Sequence, residues 1–266
     1  MKLGLSTNSF FNRINTESSF DIIRQMHIDT IEVNLATFSE YEPRFLEALQ
    51  AKKGSLLTHS VQPEGSQFEP QLFSTNARVR GDAEILFKKV CYATRVLGGK
   101  FYVFQGPVRL KKVEYDFDFV RLGDRVNQIA EIAKTYGIQI AYRNTFYGYG
   151  SDPKYFSELL RQCPSLQTVL CVKNALQAGF DPIKFLDVMA SRICTVHLCD
   201  VTHKGHGTAL PGEGKANFEK LFIELNRRNV VTTMILDANS RDYRDINQLK
   251  QAFDNLSALW IRARSK

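Results

Sequence analysis

The sequence has no apolar run of the ~20 residues that a helix needs to cross a bilayer, so we expect no membrane segment. Its opening, MKLGLSTNSF, lacks the sections of a signal peptide and predicts a first strand instead. The five cysteines are odd in number and match no common metal-binding spacing. No dense Lys/Arg run interleaves with aromatic residues, which argues against a nucleic-acid partner. Together these absences predict reduced thiols and a cytoplasmic location.

The composition is that of an ordinary globular protein, with 44% hydrophobic and 24% charged residues. A chain of 266 residues is long enough for one large core. The formal net charge of +7 implies a surface that attracts anions. Nucleic acid and a phosphorylated sugar would both suit that charge. The alternative is that the charge reflects no particular partner.

Short apolar runs alternate with helix-like segments along the whole chain, as in a parallel sheet that is covered on both faces. Eight such runs predict strands, at residues 3–5, 30–33, 55–58, 101–104, 139–142, 168–172, 193–198 and 233–236. Eight strand–helix units are the number of a closed barrel. We therefore predict a single (β/α)8 barrel domain that spans residues 1–266.

The stretch ICTVHLCDVTHKGHGTALPGEGK, residues 193–215, holds three of the five histidines. His197 and Asp200 come at the end of a predicted strand, and a hydrogen bond between them would fix the imidazole ring. His203 and His206 follow in a glycine-rich loop. In a parallel barrel the loops after the strands converge on one mouth, where functional residues are placed.

Polar residues follow nearly every predicted strand: Asn8, Glu32, Asn34, His59, Gln105, Arg143, Asn144, Lys173, Asn174, His197, Asp200, Asp237 and Asn239. The packed layers of a barrel lie lower down and do not need such a ring. The ring therefore predicts a binding site at the mouth. The alternative is that strand ends are polar simply because loops begin there.

The order HLCD, PGEG and an apolar strand ending in an acid resembles the xylose isomerase-like TIM barrel superfamily. This superfamily contains sugar-phosphate isomerases, epimerases and the related apurinic endonucleases. The segments LFKKVCYATRVLGGKFYVFQGP, IAEIAKTYGIQIAYRN and VLCVKNALQAGFDP are also similar to it. The resemblance covers nearly the whole chain.

The resemblance implies a divalent metal held by carboxylates and histidines at the strand ends, where it would polarise a sugar or activate water. His59, His197 and Asp237 match ligand positions. At four other positions the family pattern has a metal ligand and this chain has a different residue. These residues are Gln105, Arg143, Cys171 and Asn174.

Arg143 stands where the family's metal-binding glutamate is expected. A guanidinium stays protonated and has no lone pair for a metal. It places a fixed positive charge in the site and repels a cation nearby. We therefore predict no resident cofactor, with a zinc bound by Cys171 and His197 as the alternative.

The resemblance assigns roles to ten residues of this chain. Asp237 or Glu32 would transfer the proton, while His197 and His59 would polarise the substrate. Arg143 would hold its anionic group. The further candidates for substrate binding are Gln105, Lys173, Asn174, Asp200 and His206. The alternative for Arg143 is a structural salt bridge to Glu32 or Asp237.

These roles predict a sugar or sugar-phosphate isomerase or epimerase that acts on a small anionic carbohydrate. One alternative is a non-catalytic relative that kept the cavity for ligand binding after losing the metal site. Another is an apurinic endonuclease-like phosphodiesterase, although these strand ends supply few metal ligands. The sequence leaves open whether the protein is a monomer or a homo-oligomer.

Overall fold

The computed structural model describes residues 2–63, 68–107, 118–205 and 207–264. Eight parallel strands close into a barrel in the order β1-β10-β7-β6-β5-β4-β3-β2. The barrel strands are β1 (Lys2–Ser6), β2 (Thr30–Leu35), β3 (Leu57–Pro63), β4 (Phe101–Phe104), β5 (Gln139–Arg143), β6 (Gln167–Cys171), β7 (Ile193–Leu198) and β10 (Thr233–Leu236). The predicted (β/α)8 barrel is therefore confirmed.

Helices surround the barrel and connect its strands. They are α1 (Thr16–Gln25), α2 (Pro43–Lys53), α3 (Ala77–Val96), α4 (Phe119–Thr135), α5 (Pro153–Gln162), α6 (Val172–Gln177), α7 (Pro182–Met189), α8 (Phe218–Arg227) and α9 (Ile246–Ala263). Asp152 and Asp181 cap α5 and α7 through their carboxylates, and a proline follows each of them at the first helical position. This is the arrangement that these residue types favour at a helix start. Among the described residues, no helix is both long and apolar enough to cross a membrane.

The main core lies between the barrel and the helices, where Phe87, Phe104 and Phe156 are fully buried. A second, smaller cluster of Val103, Ala141 and Val169 packs with Phe101 and Cys194. These two layers make the barrel a packed body rather than a pore. The site is left to the mouth, at the carboxyl ends of the strands.

Two strands extend further than their apolar runs predicted. β3 runs to Pro63 because Ser60, Val61 and Gln62 continue the pairing with β2, while His59 is the unpaired residue at a register shift between Ile31 and Glu32. The expectation that His59 ends its strand was therefore wrong. β2 likewise runs on to Leu35, so Glu32 lies within the strand and not at its end.

Asp200 organises the loop after β7 from the inside. It starts a short hairpin, β8 (Asp200–Val201) and β9 (Thr208–Ala209). Its buried carboxylate accepts hydrogen bonds from four backbone amides, those of Val201, Gly212, Gly214 and Ala216, at 2.8–3.2 Å. A side chain at Gly214 would clash with the Val201 carbonyl oxygen 2.1 Å away. Loop amides thus occupy both carboxylate oxygens of Asp200, and its predicted role in substrate binding stays a prediction.

Candidate functional site

A cavity of about 430 Å³ opens at the barrel mouth, and we call it the mouth cavity. Residues from the ends of β1, β3, β5, β6 and β10 line it. Its polar lining includes Asn8, Asn12, Gln62, Arg143, Lys173, Asn174, Gln177, Thr208, Asp237, Asn239, Ser240 and Arg241. The cavity therefore brings together four of the predicted site residues: Arg143, Lys173, Asn174 and Asp237.

Arg143, the last residue of β5, places its guanidinium in the mouth cavity while being only 8% exposed. Its Nη1 donates to Gln62 Oε1 at 2.6 Å, and the Tyr147 hydroxyl is a further hydrogen-bond partner. Within the described residues, its Nε has no acceptor and no carboxylate lies within 4.0 Å of the guanidinium. Arg143 is therefore not held in the salt bridge to Glu32 or Asp237 that the sequence left open.

Positive charge predominates along the lining of the mouth cavity. Arg143, Lys173 and Arg241 contribute cations, whereas Asp237 is the one carboxylate of that described lining. Burial by itself lowers the pKa of Lys173, but Cys199, Asp237 and other negative groups raise it overall. Its ammonium therefore stays protonated. Such a cavity favours an anionic guest.

Asp237 directly follows β10 and is 3% exposed. Its Oδ1 accepts a hydrogen bond from Asn8 Nδ2 at 2.9 Å, and its Oδ2 lies 3.8 Å from His197 Nδ1. These neighbours fix the carboxylate on one wall of the mouth cavity.

Glu32 and His197 form a fully buried pair within the barrel. Glu32 Oε2 lies 3.0 Å from His197 Nε2, and Glu32 also accepts hydrogen bonds from Ser6 and Ser60 at 3.2 and 2.7 Å. Neither residue lines the mouth cavity. His197 is therefore a partner of Glu32 and not, as the sequence had suggested, of Asp200. The catalytic roles predicted for Glu32 and His197 stay predictions, at positions below the mouth cavity.

Each member of this pair keeps the other charged. Burial favours the neutral forms, but the charge of His197 lowers the pKa of Glu32 to about 2. Burial also disfavours the imidazolium, yet the charge of Glu32 raises the pKa of His197 to about 10. At neutral pH the barrel thus holds a carboxylate beside an imidazolium.

His59 lies lower in the barrel than the sequence suggested. Its Nε2 is 2.8 Å from Thr195 Oγ1, two residues before His197 along β7. Its ring packs on Phe101, the first residue of β4. Burial lowers the pKa of His59 to about 4, so the ring is neutral. The structure places this side chain near the amino ends of the strands and away from the mouth, and its catalytic role stays a prediction.

Gln105 and Asn174 support the site through other residues. Gln105 Oε1 accepts a hydrogen bond from the hydroxyl of Tyr147, which lines the mouth cavity. Asn174 lines the cavity itself and donates to the backbone oxygen of Asn144 at 2.8 Å. His206 lies outside the described residues, so its predicted role stays a prediction.

Glu69, a buried carboxyl beside β4, was not identified from any sequence pattern. It accepts hydrogen bonds from the Tyr102 hydroxyl and from the backbone amides of Gln105 and Gly106 at 2.7 and 2.9 Å. Burial raises its pKa to about 7. Glu69 therefore fixes the chain where Gln105 leaves the barrel. Gln62 was missed for a different reason, because the predicted third strand ended at residue 58 whereas β3 includes Gln62.

The donor chemistry of the described residues does not fit the divalent metal that the resemblance implies. Arg143 offers hydrogen-bond donors only. His197 is held as an imidazolium, whose two nitrogens both carry protons. In the described ranges, no three His, Cys, Asp or Glu side chains are grouped to hold a metal ion. We derive no step that passes through a metal.

The charged pair predicts that stability falls at both ends of the pH range. The pKa of His197 is raised to about 10 from 6.5, so its contribution is complete below about pH 6.5 and is lost as the pH rises through 10. The pKa of Glu32 is lowered from 4.5 to about 2, so its contribution to the free energy of unfolding is lost as the pH falls through that range.

Urea denaturation of the wild-type protein and of the Glu32→Gln variant across this pH range will test the pairing. We expect the variant to lose about 3–5 kcal/mol near neutral pH and much of its alkaline slope. An equal alkaline slope in both proteins would contradict the pairing.

The family and structure comparisons agree with this architecture. A family profile described as "Xylose isomerase-like TIM barrel" matches residues 20–263. No curated protein sequence matches the chain significantly.

Solved structures share the fold at low sequence identity. A D-tagatose 3-epimerase-like protein superposes with a TM-score of 0.78 at 19% identity, over 98% of this chain and 99% of that one. D-psicose 3-epimerase from Clostridium cellulolyticum H10 gives 0.73 at 13% identity, over 99% of each chain. The IolI protein, solved with a zinc atom, gives 0.76 at 14% identity, over 100% of this chain and 98% of that one. With the profile match covering most of its length, this chain belongs to the xylose isomerase-like TIM barrel family.

Proposed function

We propose that this protein is a sugar isomerase or epimerase that acts on a small anionic carbohydrate, without a resident metal. The observation that carries the proposal is the guanidinium of Arg143. It is almost completely buried, lines the mouth cavity and has no carboxylate partner within 4.0 Å among the described residues. A buried cation without a counter-ion is costly, and a bound phosphate or carboxylate would supply one.

Arg143 binds the anionic group of the substrate. Gln62 accepts a hydrogen bond from Nη1 of the Arg143 guanidinium only. The other donors of that planar group suit a bidentate contact with carboxylate or phosphate oxygens. Lys173 and Arg241 add two more cations to the same lining. Neutral sugars gain nothing from these charges, so the site selects sugar phosphates and sugar acids.

Asp237 is the base that moves the proton. As a carboxylate on the cavity wall it removes a proton from the carbon beside the substrate carbonyl. Return of that proton to the former carbonyl carbon isomerises the sugar, provided that the hydroxyl proton passes from one substrate oxygen to the other. Reprotonation of the original carbon from the other side epimerises the sugar instead. The negative charge that develops on the substrate oxygen is stabilised by the nearby cations.

The Glu32–His197 pair acts as a positioning element below the reacting groups. Its imidazole Nδ1 lies 3.8 Å from Asp237 Oδ2, so the pair helps to hold that carboxylate in place. Phe146 and Tyr147 line the opening with half-exposed rings in an edge-to-face pair. Aromatic faces of this kind pack against the apolar face of a sugar ring.

A non-catalytic sugar-binding protein is the second candidate. The observation that favours it is that Asp237 is the single carboxylate in the described lining of the mouth cavity. Epimerisation by two bases requires a second group on the opposite side of the substrate. For the endonuclease alternative, the described residues offer no grouped metal ligands. The five free cysteines support a reducing, cytoplasmic location for either candidate.

Arg143→Gln should weaken the binding of anionic sugars by about ten- to a hundredfold, the loss expected for one or two charge-assisted hydrogen bonds. Calorimetric titration with ketose phosphates, sugar acids and the matching neutral sugars will measure it. Arg95→Gln removes the same charge from an exposed position on α3 and serves as the control. Unchanged affinity for the anionic sugars in Arg143→Gln would refute the proposed contact.

Asp237→Asn should abolish proton exchange while leaving binding largely intact. We expect the incorporation of solvent deuterium into a bound sugar phosphate to fall by about 10²–10⁴-fold. Asp254→Asn, an exposed position on α9, is the matched control. Binding without deuterium incorporation in the wild type would favour the non-catalytic candidate. Incorporation that persists in Asp237→Asn would show that another group is the base.

A further inference from the structure

Two cysteine side chains meet at the edge of the mouth cavity. Cys171 is the last residue of β6 and lines the cavity, and Cys199 directly follows β7. Their Sγ atoms are 3.4 Å apart. A disulfide bond is about 2.05 Å long, so the two sulfur atoms would have to approach by only roughly 1.4 Å to join. The proposed function uses neither thiol.

Positive charge surrounds Cys171. It pairs directly with His197 across the β6–β7 register, and Lys173 and Arg143 line the same cavity. Cys199, by contrast, is not among the described residues that line that cavity. Cationic neighbours favour the reactive form of a thiol, so Cys171 is the member of the pair that an oxidant entering the cavity meets first.

Cys199 is held close to Cys171 by the backbone. Its Sγ lies 3.3 Å from the amide nitrogen of Lys173 and 3.4 Å from the carbonyl oxygen of His197. The geometry therefore supplies both parts of a redox pair, a thiol on the cavity wall that reacts first and a second thiol within reach of the product.

The other three cysteines have different surroundings. Cys91, Cys163 and Cys194 do not line the mouth cavity. Burial raises the pKa of Cys163 to about 11 and that of Cys194 to about 12, and it raises the pKa of Cys91 further. These three thiols provide internal controls in the same molecule.

We propose that Cys171 is a peroxide-reactive nucleophile and that Cys199 converts its oxidised form into an intramolecular disulfide. This goes beyond the proposed function and does not depend on it. Both cysteines are only 1% exposed, so the oxidant must be small and must enter through the mouth cavity. Hydrogen peroxide meets that requirement.

The chemistry balances in two steps. The Cys171 thiolate attacks one peroxide oxygen, an S–O bond forms as the O–O bond breaks, and the departing hydroxide takes a proton to become water. Cys199 then loses its proton and attacks the sulfenic sulfur of Cys171. The S–S bond forms as the S–O bond breaks, and the hydroxyl group leaves with a proton as a second water. One peroxide is reduced and two thiols are oxidised.

Peptide mapping of native wild-type protein after hydrogen peroxide treatment tests the proposal without any substitution. We expect a Cys171–Cys199 disulfide, a mass loss of two hydrogen atoms and three thiols that remain free. A small alkylating reagent that enters through the mouth cavity should label Cys171 first. Five free thiols after treatment, or faster labelling of Cys91, Cys163 or Cys194, would overturn the proposal.

Variants separate the two roles. Cys199→Ser should stop at a sulfenic acid on Cys171 that dimedone traps, whereas Cys171→Ser should form neither the adduct nor the disulfide. Cys194→Ser should behave as the wild type. A dimedone adduct on Cys199 in Cys171→Ser, at the wild-type rate, would show that the first nucleophile is misassigned.

Discussion

The organisation of the mouth depends on the ion pair between Glu32 and His197 inside the barrel. The pair is fully buried, with its carboxylate and imidazole 3.0 Å apart and two serine hydroxyls on the carboxylate. Opposite charges that are buried together compensate each other for the loss of water. The hydroxyls add partners to the carboxylate, whereas Nδ1 of His197 has no hydrogen-bond partner among the described residues. The pair therefore fixes β2 and β7 relative to each other and keeps both side chains below the mouth cavity.

This pairing determines which residues remain for a ligand. His197 is a position where the resemblance implied a metal ligand, but its imidazolium has no free lone pair. At another such position Arg143 places a guanidinium on the cavity wall. In our proposal, side chains fixed to the ends of the strands supply the positive charge that a metal would otherwise provide. Asp237 remains as the carboxylate that faces the cavity.

The same cavity connects the sugar site with the thiol pair. Lys173 and Arg143, which attract an anionic ligand in our proposal, line it together with Cys171. The proposed sugar and the proposed oxidant would therefore enter through the same opening.

The sequence predicted the eight strands well because both faces of most barrel strands are apolar. Arg143 and Asp237 were placed correctly because their strands end where the apolar run ends. β3 was misjudged because its inward-facing residues are polar and satisfied by neighbours inside the barrel, as in the bond between Ser60 and Glu32. Apolar patterning does not detect such a strand.

Two other features depend on contacts that sequence spacing does not reveal. The close spacing of His197 and Asp200 suggested a local hydrogen bond, but Glu32, 165 positions away, is the partner of the histidine. The glycines at 212 and 214 were the available signal for the loop that Asp200 organises. Nothing in the sequence linked Glu69 to β4, because that contact exists only once the barrel has closed.

The central claim is that fixed cations of the chain take the place of a metal at the mouth. Its most direct test is calorimetric titration of an anionic sugar that binds the wild type, in protein purified without chelator, before and after EDTA treatment, together with metal analysis of both samples. The account predicts less than one divalent ion per chain and the same affinity in both samples. A stoichiometric ion whose removal abolishes binding, with recovery on adding that ion back, would contradict it.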